Sequence, residues 1–148
     1  MGDKNPEKEI YSLFSNVAAS LGYSEVHGRI IAALLVAQKP LSLNELSKRI
    51  GYSMSSVSLS LDLLELLGVA KRMKKPNDKK LYVELKGDLL DCLRKIVLFK
   101  TQRNVEETLR EFKRFKNDKS IGKPVKILEK EIKRLEKYIN LLSKVKLP

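Results

Sequence analysis

Between residues 42 and 85 the hydrophobic pattern changes period, and that change limits the folds open to the chain. Leu46 and Ile50, then Val57, Leu61 and Leu64, recur at steps of three and four, the repeat of a helix packed on one side. Leu81, Val83 and Leu85 recur at a step of two, the repeat of a strand. Gly51 and Gly68 stand where the two helical runs stop. Ser42 or Asn44 is placed to cap the first run. Ser53 is placed to cap the second, with Ser56 where a capping box would carry Glu. Pro76, Asn77 and Asp78 read as a turn between strands over 69–74 and 81–85. The predicted order is a short helix, a tight turn, a second helix and a β-hairpin.

The flanks read as helices. Pro6 and the acids after it open one, Ile10, Leu13, Phe14, Val17 and Leu21 form its stripe, and Gly22 ends it. Ser24 caps "EVHGRIIAALLVAQ", apolar on most sides and therefore central, stopped by Lys39 and Pro40. After Gly87 a long helix carries Leu89, Leu93 and Ile96, then Val105, Leu109 and Phe112, up to a break around 117–122. The last helix repeats Val125, Leu128, Ile132, Leu135, Ile139 and Leu142 as a heptad, β-branched at each a position and Leu at each d. That seam suits a two-stranded parallel coiled coil, and an antiparallel hairpin within the chain would use the same stripe. The expected fold class is mainly α with a small β-hairpin wing: a winged helix-turn-helix plus long C-terminal dimerisation helices. Residues 1–22 form an N-terminal helix for packing or dimerisation, 23–86 the DNA-binding domain and 87–148 a helical dimerisation arm.

Charge points to a partner. Lys and Arg number 30 against 18 Asp and Glu. Residues 1–70 sum to −1, residues 71–86 to +5 and residues 87–148 to +8. The middle concentration falls on the predicted hairpin, which fits a polyanion better than a generally basic surface. A lone cysteine, Cys92, builds no intrachain disulfide and fits a reducing cytosol. The charged start "MGDKNPEKEI" lacks an apolar signal core, and the longest apolar run, residues 30–37, is too short to span a bilayer. A cytoplasmic protein with no membrane partner is expected, nucleoid-associated when bound to DNA. With no Gly-rich phosphate loop, no metal-ligand spacing and the single His27, no enzymatic activity, metal or cofactor is expected. His27 and Cys92 read as packing residues.

A helix of two to four turns fits the major groove of B-DNA, and a hairpin beside it lays cations along phosphates or into the minor groove. On the second helix Val57, Leu61 and Leu64 face inward with Met54 beside them, while Ser55, Ser56 and Leu59 lie opposite, near the helix start. The expected DNA contacts on this helix are Ser53, Ser55, Ser56, Ser58, Leu59 and Ser60, with Leu59 suited to a thymine methyl. Lys48 flanks them. On the hairpin they are Arg72, Lys74, Lys75, Asn77, Lys79 and Lys80, with Lys71 a weaker candidate and Asp78 a turn former. The helix carries no cation, since its N-terminus is itself an anion site. Leu63, Leu66 and Leu67 make its second half apolar nearly all round, which predicts a covering layer, most simply the long helices of residues 88–145 from this or a partner subunit. Leu128, Ile132, Leu135, Ile139 and Leu142 are the expected dimerisation residues.

The stretch "VHGRIIAALLVAQKPLSLNELSKRIGYSMSSVSLSLDLLELLGVAKRM" resembles the DNA-binding domain of the MarR superfamily, in particular its GbsR-like branch. The resemblance rests on His27-Gly28-Arg29, Pro40-Leu41-Ser42, Glu45-Leu46, Val57-Ser58, Leu61 with Leu64, and Gly68-Val69. "NDKK" at 77–80 is similar to that superfamily's acidic-then-basic wing tip, with Lys where Arg is common. The similarity spans residues 10–86. It implies a homodimeric transcription regulator, often a repressor, on a pseudo-palindromic double-stranded DNA operator, with a small-molecule effector as a candidate further partner. Two rival readings remain: a winged-helix protein–protein adaptor with a coiled-coil arm, and a basic coiled-coil protein that binds RNA or membranes.

Overall fold

The computed structural model describes residues 5–148; the first four residues of the expected N-terminal segment lie outside them. The chain divides into two units, one ending at Asp88 and the other running from Leu89 to Pro148.

In the first unit Asn5 caps α1 (Pro6–Ser20), its side chain accepting from the Glu7 and Lys8 amides at 3.0 and 3.4 Å. The face α1 buries is not the expected one. Tyr11, Ser15 and Ala18 are inside, whereas Leu13 is 62% exposed and Val17 is also exposed. The reason lies on α2 (Glu25–Ala37). A Cβ at Gly28 would lie 2.2 Å from the Phe14 carbonyl oxygen, so the two backbones meet there and only small residues fit beside the contact. Ser15 and Ala18 fit; Leu13 and Val17 are turned outward. α2 is buried nearly all round, as its apolar sequence predicts. Its start is closed by Ser24, which accepts from the Val26 amide at 3.1 Å, and by His27, whose Nδ1 accepts from the Ser24 amide at 3.2 Å.

Tyr11 ties α1 onward. Its buried hydroxyl donates to the Glu7 carboxylate, which also accepts from Arg49 at 3.3 Å on α3 (Leu43–Ile50). Ser42 caps α3 by accepting from the Glu45 amide at 3.1 Å, and Gly51, at φ 75°, closes it in the left-handed conformation. α4 (Met54–Leu66) follows a three-residue connection and buries Val57, Leu61 and Leu64 as expected. Met54, expected to pack beside them, is exposed at the first helical position, before the helix reaches the core.

The hairpin is β2 (Ala70–Lys74) and β3 (Leu81–Leu85), antiparallel, with Arg72 opposite Val83. A third strand escapes the sequence pattern. β1 (Leu41–Ser42) pairs with β3, Leu41 opposite Val83, and the sheet order is β1-β3-β2. Two residues are too few to display a period. The unit is a winged helix, and with the helices that follow the chain is mainly α with a small antiparallel sheet.

In the second unit α5 (Leu89–Phe115) and α6 (Gly122–Leu142) form an antiparallel hairpin. Arg94 donates to the Val145 carbonyl, Gln102 to Asn140 at 3.4 Å, and Lys116 pairs with Glu129 at 3.3 Å. The heptad of α6 splits. Val125 and Ile139 are buried and Ile132 half-buried, whereas Leu128 is 51% exposed and Leu135 is also exposed. The a positions thus close the hairpin within the chain, and the d positions at Leu128 and Leu135 stay open.

Gly28→Ala should lower the denaturant midpoint at unchanged m-value, by the equivalent of about 3 kcal/mol, the upper end for overpacking because the obstacle is backbone. Burial, then the hydrogen bond to Glu7, pushes the Tyr11 phenol up to about 12. With a raised folded pKa, its contribution is complete below the ordinary tyrosine value of about 10 and is lost as pH rises through about 12. Melting temperatures above pH ~10 should therefore fall more steeply for the wild type than for Tyr11→Phe.

Candidate nucleic-acid interface

The start of α4 is a serine cluster. Ser53 Oγ accepts from the Ser56 amide at 3.1 Å, and it lies 3.0 Å from Ser56 Oγ and 3.1 Å from Ser55 Oγ. The first amides of a helix have no intrahelical acceptor, so those of Met54 and Ser55 keep the helix start electropositive. Along the open side, Ser55, Leu59, Asp62 and Leu66 follow at steps of four, three and four, one exposed face of the helix. Leu59 is 73% exposed.

Three expected contacts on α4 are not on that face: Ser56, half-buried against the Ser53 cap, Ser58 and Ser60. Ser60 is buried, because it shares the packed side with Val57, Leu61 and Leu64. Ser58 is half-buried, and both its carbonyl and its hydroxyl accept from Arg72 Nη1, at 3.3 and 3.2 Å. The first unit by itself does not supply the expected covering layer: Leu66 is 68% exposed and Leu63 half-buried, while Leu67 is buried at the end of the helix.

The hairpin tip has a defined conformation. The Asp78 amide donates to the Lys75 carbonyl at 3.2 Å, Pro76 occupies the second turn position and Asn77 the third, at φ 62°. Asn tolerates that left-handed geometry, so Asn77 shapes the turn. Asp78 accepts from the Lys80 amide and from the Tyr82 hydroxyl, both at 2.9 Å. Lys75 Nζ sits 4.0 Å from the centre of the Tyr82 ring. Lys74, Lys75, Lys79 and Lys80 are exposed around this frame, and Lys48 is exposed on the last turn of α3. Lys71 pairs with Glu84 across the strands at 3.2 Å.

Arg72 departs from expectation. Its guanidinium is engaged by α4: Nη2 meets Asp62 at 2.5 Å, Nε meets Glu65, and Nη1 reaches Ser58. The hydrogen bond to Asp62 raises its pKa above an already high value. Sequence reasoning passed over Asp62 and Glu65, because their partner is a strand residue whose register only the folded hairpin sets. Among the described residues, no group of three or more metal-ligating side chains converges and no helix is long and apolar enough to cross a membrane.

The Lys80 amide, then the Tyr82 hydroxyl, holds the Asp78 carboxyl below the usual carboxylate range. A depressed folded pKa means that the tip is fully braced above about pH 4 and loosens as pH falls through the folded value. Amide exchange should show the Lys80 N–H losing protection on acidification before that of Val83, and Asp78→Ala should remove the protection at every pH.

No family model and no curated protein matches the chain. Among solved structures, the crystal structure of a transcriptional regulator superposes with a TM-score of 0.68 at 16% identity, covering 95% of this chain and 97% of that one. An S. aureus MepR variant bound to an oligodeoxyribonucleotide matches with a TM-score of 0.47 at 16% identity, over 88% and 91% of the two chains. The first likeness shows that 95% of this chain shares the fold of a protein described as a transcriptional regulator.

Proposed function

We propose that the chain is a sequence-specific double-stranded DNA-binding transcription regulator, MarR-like and on its sequence pattern GbsR-like, acting as a homodimeric repressor in the cytoplasm. The observation that carries this reading is the union of helix and wing. Arg72 fastens the basic hairpin to α4, so an exposed serine-bearing helix start and four exposed lysines belong to one unit. Ser53, Ser55, Ser56 and Leu59 would meet base edges and the nearest phosphates, while Lys74, Lys75, Lys79 and Lys80 supply sequence-independent attraction. Two reading helices about 34–36 Å apart would engage a pseudo-palindrome.

The open d positions of α6, Leu128 and Leu135, support a second copy as partner. A cleft of about 390 Å³ between the end of α2 and β3, walled by Leu34, Leu35, Pro40 and Leu85, has the size of a small-molecule site and would admit an effector. One observation favours the adaptor reading instead: Leu59 and Leu66 are both widely exposed on the open face of α4.

Selection from a random duplex pool at two salt concentrations tests the proposal. A recovered palindrome supports it, and binding that is absent at both salts overturns it in favour of the adaptor. Replacing Lys74, Lys75, Lys79 and Lys80 together by Ala should flatten the log–log salt slope by about 3 to 4 per protomer, or about 7 for the dimer, at ~0.9 per phosphate. Ser55→Ala should shift sequence preference and leave the slope unchanged.

A further inference from the structure

We propose that Arg72 is a positioning residue of the reading helix: it cancels the two carboxylates of α4 and fixes the wing to that helix, and does not bind a phosphate. The inference rests on the DNA-binding reading above and assigns a role within it. α4 carries Asp62 and Glu65 and no basic residue. Asp62 lies on the same open face as Ser55 and Leu59 and its side chain is 61% exposed. A bare carboxylate there would face a polyanion, and like-charge juxtaposition across an interface costs several kcal/mol. Arg72 answers both acids with one planar fork. Nη2 takes Asp62, Nε takes Glu65, and the remaining Nη1 takes the Ser58 carbonyl and hydroxyl.

Strand register agrees. Arg72 stands opposite Val83 and shares its sheet face with Ala70, both of which are buried. Its side chain therefore leaves the strand on the packed side and turns back onto α4. All three nitrogens of the guanidinium are occupied within the unit, whereas Lys74, Lys75, Lys79 and Lys80 stand exposed around the tip.

The two roles separate in a charge-compensated variant. Arg72→Ala alone weakens binding under either role, by about tenfold or more. In the triple variant R72A/D62N/E65Q the carboxylates are gone together with their partner. A positioning role predicts that the triple variant binds clearly more tightly than R72A, because the bare carboxylates are gone, with the wild-type salt slope; the affinity it does not regain is that of the lost fastening of the wing to α4. A phosphate contact predicts that it stays as weak as R72A, with the slope reduced by about 0.9 per protomer, and that result overturns the proposal. D62N/E65Q with Arg72 retained gives a second reading should R72A fail to fold. The freed guanidinium should steepen the slope by about 0.9 per protomer, and an unchanged slope counts against the proposal. Circular dichroism confirms that each variant compared is folded. A wild-type chain that binds no duplex sinks the DNA reading and this role with it; a wild type that binds beside a folded triple variant that stays weak sinks this role alone.

Discussion

α1 and α2 touch backbone to backbone at Gly28, where even a methyl group would meet the Phe14 carbonyl oxygen at 2.2 Å. Much of the first unit follows from that contact. It selects Ser15 and Ala18 for the inner face of α1 over the bulkier Leu13 and Val17. It also brings Tyr11 inside, where the hydroxyl engages Glu7, and Glu7 in turn engages Arg49 on α3. α3, the helix that precedes α4, is thus indexed to the first helix of the chain through one buried phenol and one ion pair. The ion pair is partly exposed and contributes little by itself; its value is geometric, since it closes a path from α1 through α3 to the turn at Gly51.

Charge is divided along similar lines. Around α4 the exposed positive charge sits on the hairpin tip and on Lys48 of α3, while the open face of α4 presents hydroxyls, two apolar side chains and the amides of its start. The cation nearest to α4 in the sheet is consumed by the helix's own acids. An interface built this way keeps long-range attraction and short-range contact on different elements, so that salt and sequence would act on different residues.

Much of this was legible in the sequence because it depends on local signals. Gly51 closed α3 in the left-handed conformation, Ser53 capped α4 with Ser56 in place of Glu, and the second hairpin strand fell on Leu81–Leu85. What was not legible depends on contacts far along the chain. The stripe of α1 looked apolar at Leu13 and Val17, yet a glycine on another helix decided which side could approach. Ser60 looked like its neighbours Ser55 and Ser56, and a turn of the helix carried it inward. Arg72 looked like one more wing cation until the strand register aimed it at α4. The heptad of α6 was recognisable, but its division into a closed a edge and an open d edge required the α5 partner.

The short strand β1 has a topological consequence. Leu41 and Ser42 pair with Val83 and Tyr82, and the intervening chain holds α3, α4 and β2. Two residue pairs therefore shut a loop around α3, α4 and β2. Loop-closure entropy grows only slowly with length, so a clasp this small can hold a loop that long when its side chains are buried, as those of Leu41 and Val83 are. Most other packing joins neighbours in sequence: α1 with α2, α3 with α4, β2 with β3. Distant contacts repay the loop-closure entropy they cost only once made, so the β1–β3 clasp, together with the packing of α2 on α4 and β3, is what joins these local pieces into a closed unit.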